Sequence, residues 1–312
     1  MASGYTVSGL TSYVEVNKDV LVKNLVLGLS KGDTIPMLRK QLGIKTKERL
    51  NYLDVDPVLQ DGSNCGFSAS GSTAFSERDI ETAQIKAQDQ YCDKDLLGKF
   101  AEYQVKIAAT KDGSDMPFEA EILDEVVGKI NEKMEKLVWQ GDKTGHGDLI
   151  DGFLTQADAG GADSASTIMV TGSSATSMSA RIEEIINAVP EDFDADKMTI
   201  FVSPANFRKL AFELVKDYKY NANMFGAEAE AKDLIYPGSS VRVHRTLGLL
   251  GSDKIYASPL ENMVYGADLM NDEEKIRFWY DDNSELFKYS IHWNAGVKTL
   301  YPDLVIVGDF SA

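Results

Sequence analysis

The sequence predicts an α+β protein, in which one long helix and groups of strands occupy separate stretches of the chain. Apolar residues recur at three- and four-residue steps across 117–139, which is the pattern of an amphipathic helix. Residues 271–312 instead hold apolar runs divided by a turn sequence, the pattern of antiparallel strands. Helices and strands that occur in separate runs favour the α+β class.

Composition and charge describe a globular protein with an uneven surface. The chain has 312 residues, 43% of them hydrophobic and 26% charged, which is enough for one large domain or two ordinary ones. Its net charge of −17 argues against nonspecific nucleic-acid binding through the whole surface. Residues 1–50 hold eight basic against four acidic side chains, so they form a basic arm on an acidic body. No apolar run is long enough to predict a membrane span.

The first two stretches are predicted to extend away from a core. Residues 1–45 show no long amphipathic period and read as an N-terminal arm, with a short helix near 34–42. Residues 46–95 read as a long β-hairpin with limbs at 50–59 and 79–92 and a polar, glycine-bearing tip. Neither limb carries enough apolar surface to form its own core. A hairpin this polar is marginal alone, so we expect a neighbouring subunit beneath it.

The remaining elements follow in order. Helices are predicted at 95–108 and 117–139, and then a segment rich in glycine leads to a strand at 167–172. A unit of helices and strands spans 179–270, where Ser203 and Pro204 suit the start of a helix. Antiparallel strands at 274–280, 286–301 and 303–310 close the chain.

The glycine segment LVWQGDKTGHGDLIDGFL is predicted to be a connector. A phosphate-binding loop follows a strand and ends in GK[ST] before a helix, whereas here a helix comes first and Lys143 follows Asp142. The segment therefore turns the chain and binds no phosphate. Its four glycines share this role: Gly141, Gly145, Gly147 and Gly152.

No catalytic, cofactor-binding or metal-binding residue is assigned, and no cofactor is expected. His146 could act as a general base, but no Ser or Cys nucleophile can be assigned to it by spacing. His244 and His292 lie in strand-like stretches, where a packed or surface histidine is usual, and three scattered histidines do not predict a metal site. The DFDAD sequence at 192–196 lacks the Gly and Glu of a calcium loop and reads as a solvated turn. The acidic sequences at 271–274 and 280–283 are also turns, with cation binding at a subunit junction as a weaker hypothesis.

Cys65 and Cys92 are too few for a disulfide scaffold and are not spaced as a metal knuckle. Two reduced thiols in a cytosolic environment are predicted, and a single bridge across the hairpin stays open.

The order of these segments resembles a known family. A polar arm and a long hairpin precede a long helix that ends in WQGD and leads to DGFL. A strand and SPANFRKL at 203–210 come next, and a β-rich tail closes the chain. This order is similar to that of tailed-bacteriophage major capsid proteins of the Hong Kong 97 fold, over nearly the whole chain.

The resemblance implies an architecture. Residues 1–45 correspond to the N-terminal arm and residues 46–95 to the extended loop that lies over the adjacent subunit. Residues 96–178 and 271–312 correspond to the peripheral domain, with 117–139 as its spine helix. Residues 179–270 correspond to the axial domain, whose tips meet around capsomer axes.

The resemblance also implies a function. Copies would assemble, inside the host bacterial cytoplasm, into hexamers and pentamers of an icosahedral shell that encloses double-stranded DNA. The protein would be a structural component of the virion and not an enzyme, with no membrane association and no sequence-specific DNA binding. The arm begins almost at once, so a separate scaffolding protein is expected, together with a portal and decoration proteins as further partners. Lys86 and Lys94 match no cross-linking motif, so the covalent cross-linking of some family members is not carried over.

Three alternatives remain at this stage. An encapsulin-type nanocompartment shares the fold but encloses protein, and its hairpin is usually shorter. A soluble α/β enzyme would use residues 179–270, with His244 in its site, but would leave the coreless hairpin unexplained. A tail or decoration protein would be shorter and would lack the long helix.

Overall fold

The computed structural model describes residues 33–56, 58–59, 71–92, 118–174, 176–218, 233–268, 276–281, 283–284 and 286–310. The described residues contain four α-helices, which are α1 (Phe118–Gln140), α2 (Phe153–Ala157), α3 (Met178–Asn187) and α4 (Pro204–Tyr218). The predicted spine helix is therefore confirmed within one residue at each end. The predicted arm up to residue 32, the helix at 95–108, Cys65, Lys94 and the acidic sequence at 271–274 lie outside the described residues.

Thirteen strands lie in the described residues. They are β1 (Arg39–Leu42), β2 (Lys47–Asp56), β3 (Ser72–Glu81), β4 (Ala83–Cys92), β5 (Ile168–Thr171), β6 (Thr199–Val202), β7 (Asp233–Ile235), β8 (Arg242–Arg245), β9 (Ile255–Ser258), β10 (Met263–Asp268), β11 (Ile276–Asp281), β12 (Leu286–Thr299) and β13 (Ile306–Asp309). With one long helix and largely segregated strands, the α+β prediction is confirmed.

A six-stranded sheet carries α3 and α4 side by side. Its strand order is β5-β13-β9-β6-β8-β7, with parallel and antiparallel pairs mixed. Buried residues of both helices and of this sheet form one apolar cluster, which includes Ile182, Ile185, Leu210 and Leu214. Ser203 caps α4 as predicted, because its hydroxyl oxygen lies 3.4 Å from the N–H of Asn206.

A second sheet is built around β12. Residues 286–295 of β12 pair with β4, and residues 286–291 pair with β11. Residues 294–299 pair with β10, which in turn pairs with β1. Because a strand has only two edges, β11 and β10 follow each other along the edge of β12 opposite β4. Val126, Ile130 and Met134 in the apolar stripe of α1 pack with residues of this sheet in a second apolar cluster.

Strand pairing differs from the sequence prediction in several places. The helix expected near 34–42 is wrong, since a 3₁₀ turn at Ile35–Met37 is followed by β1, which pairs with β10. The return limb of the hairpin is β3, whereas β4 belongs to the second sheet. Pairing also crosses the expected domain boundaries, because β10 lies in the second sheet and β5 and β13 lie in the six-stranded one. Each of these differences arises from pairing between segments that are distant in sequence, and local sequence patterns do not predict such pairing.

Candidate functional site

The hairpin of β2 and β3 extends from the body with no other strand beside it in the described residues. Its register runs from Lys47 opposite Glu81 to Asp56 opposite Ser72. At about 3.3 Å per residue, each ten-residue strand is roughly 33 Å long. Exposed ion pairs link the strands near the base, including Arg49 to Glu77 at 2.7 Å. Each such pair adds less than about 1 kcal/mol, so they do not replace a core.

The base of the hairpin is held against the second sheet by close packing. Ile44, Ile80, Val264 and Leu300 form a separate buried cluster there. A Cβ added to Gly296 would lie 2.1 Å from the carbonyl oxygen of Glu81. The backbone of β12 therefore passes directly beneath the hairpin, and only glycine permits this approach.

A buried ion cluster fixes the same base. The Asp163 side chain is 2% exposed and accepts hydrogen bonds from Arg78 of β3 and from Lys298 of β12, the latter at 3.0 Å. Lys298 also donates to the side-chain oxygen of Gln156 at 3.1 Å. Two cations around one carboxylate make breaking this cluster costly, because removal of Asp163 would leave both charges uncompensated. The sequence analysis missed this cluster, since its members are far apart along the chain.

Glu135 on α1 anchors the first described residues. One of its carboxylate oxygens accepts the N–H groups of Asp33, Thr34 and Ile35 at 2.7–2.9 Å. The other accepts the hydroxyl of Thr34. Burial raises the pKa of this carboxyl, and the four donors oppose that shift. The segment that follows residue 32 is thus tied to the spine helix.

Trp139 joins the spine helix to the six-stranded sheet. Its ring lies 4.8 Å from that of Phe201 and 5.4 Å from that of Tyr256, and it is fully buried. Its indole N–H donates to the hydroxyl of Thr34 at 2.8 Å. A Cβ on Gly248 would lie 1.9 Å from the Trp139 ring. The WQGD tryptophan therefore links the spine helix to the six-stranded sheet and to the start of the described chain.

The glycine segment is a hydrogen-bonded turn, which agrees with the connector prediction. One Asp142 side-chain oxygen accepts the N–H groups of Thr144 and Gly145, and the hydrogen bond from Gly145 lowers the pKa of Asp142. A Cβ on Gly141 would meet two backbone carbonyl oxygens at 2.5 Å. His146 is exposed, and its Nδ1 lies 3.3 Å from the Asp142 side chain. It lines a pocket with Thr144, Thr155 and Ser252, but among the described residues its ring hydrogen-bonds to Asp142 and to none of these hydroxyls.

The other two histidines also lack a catalytic set. His244 is buried, with its Nδ1 bonded to Asp233 and its ring edge against Phe201. His292 bonds the hydroxyl of Ser290 at 2.9 Å, a pair that the sequence analysis missed. Ser290 is 6% exposed, and no carboxylate among the described residues orients His292, so this pair forms no triad.

A groove of about 620 Å³ lies between α1 and the β4–β12 surface. Ile130, Met134, Tyr289 and Trp293 line its apolar part. The residues that line it include no Ser, Thr, Cys or His, so it offers no serine, threonine or cysteine nucleophile and no imidazole base.

Two further searches concern metals and membranes. In the described part of the chain, no three His, Cys, Asp or Glu side chains come together as a metal site. The DFDAD sequence forms a 3₁₀ turn in which Asp194 accepts the N–H of Asp196. No described helix is both long and apolar enough to cross a bilayer.

Comparison with solved structures identifies the fold. The capsid of an empty GTA particle aligns over 91% of this chain and 91% of its own, with a TM-score of 0.58 and 13% identity. The satellite phage P4 procapsid aligns over 100% of this chain and 93% of its own, at 0.57 and 10%. The holo-SrpI encapsulin complex from Synechococcus elongatus PCC 7942 aligns over 89% and 86%, at 0.54 and 12%. No protein-family model and no curated protein sequence matches the chain.

These identities are too low to transfer an activity, and they establish the fold alone. The chain has the Hong Kong 97-like fold of tailed-phage major capsid proteins, as its sequence predicted.

Proposed function

We propose that this chain is the major capsid protein of a tailed phage. Copies assemble into hexamers and pentamers of an icosahedral shell, and the shell encloses double-stranded DNA. The protein acts as a structural component of the virion and has no catalytic role. Assembly takes place in the host bacterial cytoplasm with a separate scaffolding protein, a portal and decoration proteins.

The observation that carries the proposal is the hairpin. Its base is fixed by a buried ion cluster and an apolar cluster, whereas the strands beyond the base pair only with each other among the described residues. A two-stranded hairpin is marginal in water, so a second surface has to stabilise it. The adjacent copy supplies that surface in this proposal, and the rigid base sets the direction in which the hairpin reaches.

The arrangement of side chains favours a structural role over an enzymatic one. The most closely packed places among the described residues are junctions between elements: Glu135 with residues 33–35, Asp163 with the hairpin base, and Trp139 between the spine helix and the six-stranded sheet. Junctions of this kind fix the relative position of elements, which a shell subunit needs for a repeatable shape. The enzyme alternative needs a nucleophile or a base that a substrate can reach, whereas the His244 imidazole is 2% exposed.

Electron microscopy of particles purified from the producing bacterium tests the proposal. We expect closed, angular shells that contain DNase-resistant double-stranded DNA. Shells filled with protein instead of DNA would replace the proposal with an encapsulin-type nanocompartment. Small discrete oligomers and no shells would reject both.

A truncation tests the hairpin itself. Residues 52–76 are replaced by a two-residue Asn-Gly turn, which keeps Arg78, Ile80 and the base pairing. We expect the subunit to unfold at the same urea concentration as the intact chain and to form no stable shells. The matched control is Arg49→Lys, which keeps the length of the hairpin and its charge. Normal shells from the truncated chain would contradict the proposed role of the hairpin.

A further inference from the structure

An exposed stripe on α4 combines apolar and basic side chains. Phe212 is 74% exposed and Val215 is 47% exposed, and they lie three residues apart on one face of the helix. Arg208, Lys209 and Lys216 are exposed on the same helix. We call these five residues the α4 stripe. A large apolar side chain at this exposure, surrounded by cations, is the composition of a contact surface.

The neighbouring helix carries the opposite charge. Glu183 and Glu184 are exposed on α3, and Glu191 and Asp192 are exposed in the turn that follows it. We call these four residues the acidic α3 surface. Ile186 and Val189 of the same segment are only half-buried, so apolar area is available beside the carboxylates. The two surfaces are complementary in charge, and both offer apolar contact.

The two surfaces lie on neighbouring helices that pack on the same six-stranded sheet. A Cβ on Gly172, next to β5, would lie 3.5 Å from Glu184, and one on Gly308 of β13 would lie 2.9 Å from Ile185. The helix α3 therefore packs against β5 and β13, and its Glu183 also accepts a hydrogen bond from Tyr236, which follows β7. The helix α4 contacts β8, which is next to the other edge strand, β7.

The two helices are held rigidly to each other. The Glu213 carboxylate of α4 accepts the N–H groups of Met178 and Ser179 at 3.0 and 2.8 Å, which caps the start of α3. The angle between the two surfaces is thus fixed within each copy. A fixed angle between two different surfaces is what a head-to-tail contact needs to close into a ring.

We propose that the α4 stripe docks on the acidic α3 surface of a second copy of this chain, in a head-to-tail contact that repeats around a closed ring. This inference rests on the proposed shell function and identifies the contact that closes its rings. Copies with a net charge of −17 repel one another, and a local basic stripe offsets that repulsion where two copies meet. Phe212 supplies the apolar anchor at the centre of the stripe.

Charge reversal tests the contact. Variant A carries Arg208→Glu and Lys209→Glu, and variant B carries Glu184→Lys and Glu191→Lys. Glu183 is left unchanged because it accepts a hydrogen bond from Tyr236. We expect A and B, each purified alone, to give at least tenfold fewer rings and shells than the wild-type chain by sedimentation and electron microscopy. The chain that carries all four changes restores assembly, because its stripe is acidic and its α3 surface is basic.

A mixture of A and B gives a sharper result. A copy of A can contact only copies of B, so the two must alternate around a ring. Alternation closes rings with an even number of copies and forbids five-membered rings. We expect the mixture to form six-membered rings and no closed shells with pentamers.

The outcomes separate the two proposals. The docking inference is wrong, and the shell function stands, if A and B assemble like the wild-type chain. The same holds if the chain with all four changes unfolds normally in urea but still forms few rings and shells. A wild-type chain that forms neither rings nor shells overturns both. Phe212→Ser tests the apolar part of the contact at constant charge, and we expect it to lower the yield of rings and shells. Leu250→Ser is its control, because Leu250 is also exposed but lies outside the α4 stripe, and its yield should stay at the wild-type level.

Discussion

Replacing Glu135 with Ala should destabilise the subunit through the four donors that this carboxylate accepts. Glu135 is 1% exposed, and the donors are three backbone N–H groups and the Thr34 hydroxyl. An unsatisfied buried donor costs at least about 1 kcal/mol, so the change should lower the free energy of unfolding by roughly 4 kcal/mol.

Glu135→Gln separates the hydrogen bonds from the charge. The amide oxygen can still accept the three backbone N–H groups, while the Thr34 hydroxyl loses its acceptor. Removal of the charge also removes the cost of burying it, which is several kcal/mol. We therefore expect Glu135→Gln to change the free energy of unfolding by less than about 2 kcal/mol, well below the Ala variant.

Urea unfolding of the dissociated subunit, followed by tryptophan fluorescence and far-UV circular dichroism, measures these differences. Glu132→Ala is the matched control, since Glu132 lies on the same helix, is exposed and, among the described residues, pairs only with Lys129 at 3.1 Å. That variant should change stability by less than about 1 kcal/mol. A Glu135→Ala subunit as stable as the Glu132→Ala subunit would refute the role assigned to this carboxylate.

Three further outcomes are expected. Gly141→Val should lower the free energy of unfolding by about 3 kcal/mol in urea, because its Cβ would meet backbone oxygens at 2.5 Å. The exposed Ala159→Val, which lies after the glycine segment, should change it little. Equal unfolding midpoints for the two variants would contradict the turn assignment. Asp163→Ala should lower the free energy of unfolding in urea by about 3–5 kcal/mol, because it leaves two cations unpaired. A loss below about 1 kcal/mol would show that the cluster does not hold the hairpin base. The Lys288 ammonium and two further donors lower the pKa of Asp281 from 3.8 to about 2. The ionised Asp281 therefore stabilises the fold above pH 4, and this stabilisation is lost as the pH falls through 2. The difference in urea midpoint between the wild-type chain and Asp281→Asn should shrink over that pH range, and a constant difference would contradict the pKa shift.

Local patterns in the sequence determined the spine helix, α3, α4 and several strands, but not α2. The spine helix, the capped start of α4 at Ser203 and the buried strand β6 all follow from side-chain period and capping chemistry, which act between near neighbours. The role of the glycine segment was also predictable. A phosphate-binding loop lies between a strand and a helix, whereas this segment follows a helix, which excludes that function. The resemblance to the Hong Kong 97 fold rested on the order of such elements.

Only the tertiary structure decided which elements meet. The predicted return limb divides at Thr82 into β3 of the hairpin and β4 of the second sheet, because β4 gains a partner in β12 two hundred residues later. Arg78, Asp163 and Lys298 form one cluster for the same reason. Buried Glu135 beside the apolar stripe of α1 was a signal that something polar must reach it, but the partner is a distant segment. Such contacts depend on long-range pairing, and a periodic pattern in one stretch of sequence carries no record of the segment that will lie against it.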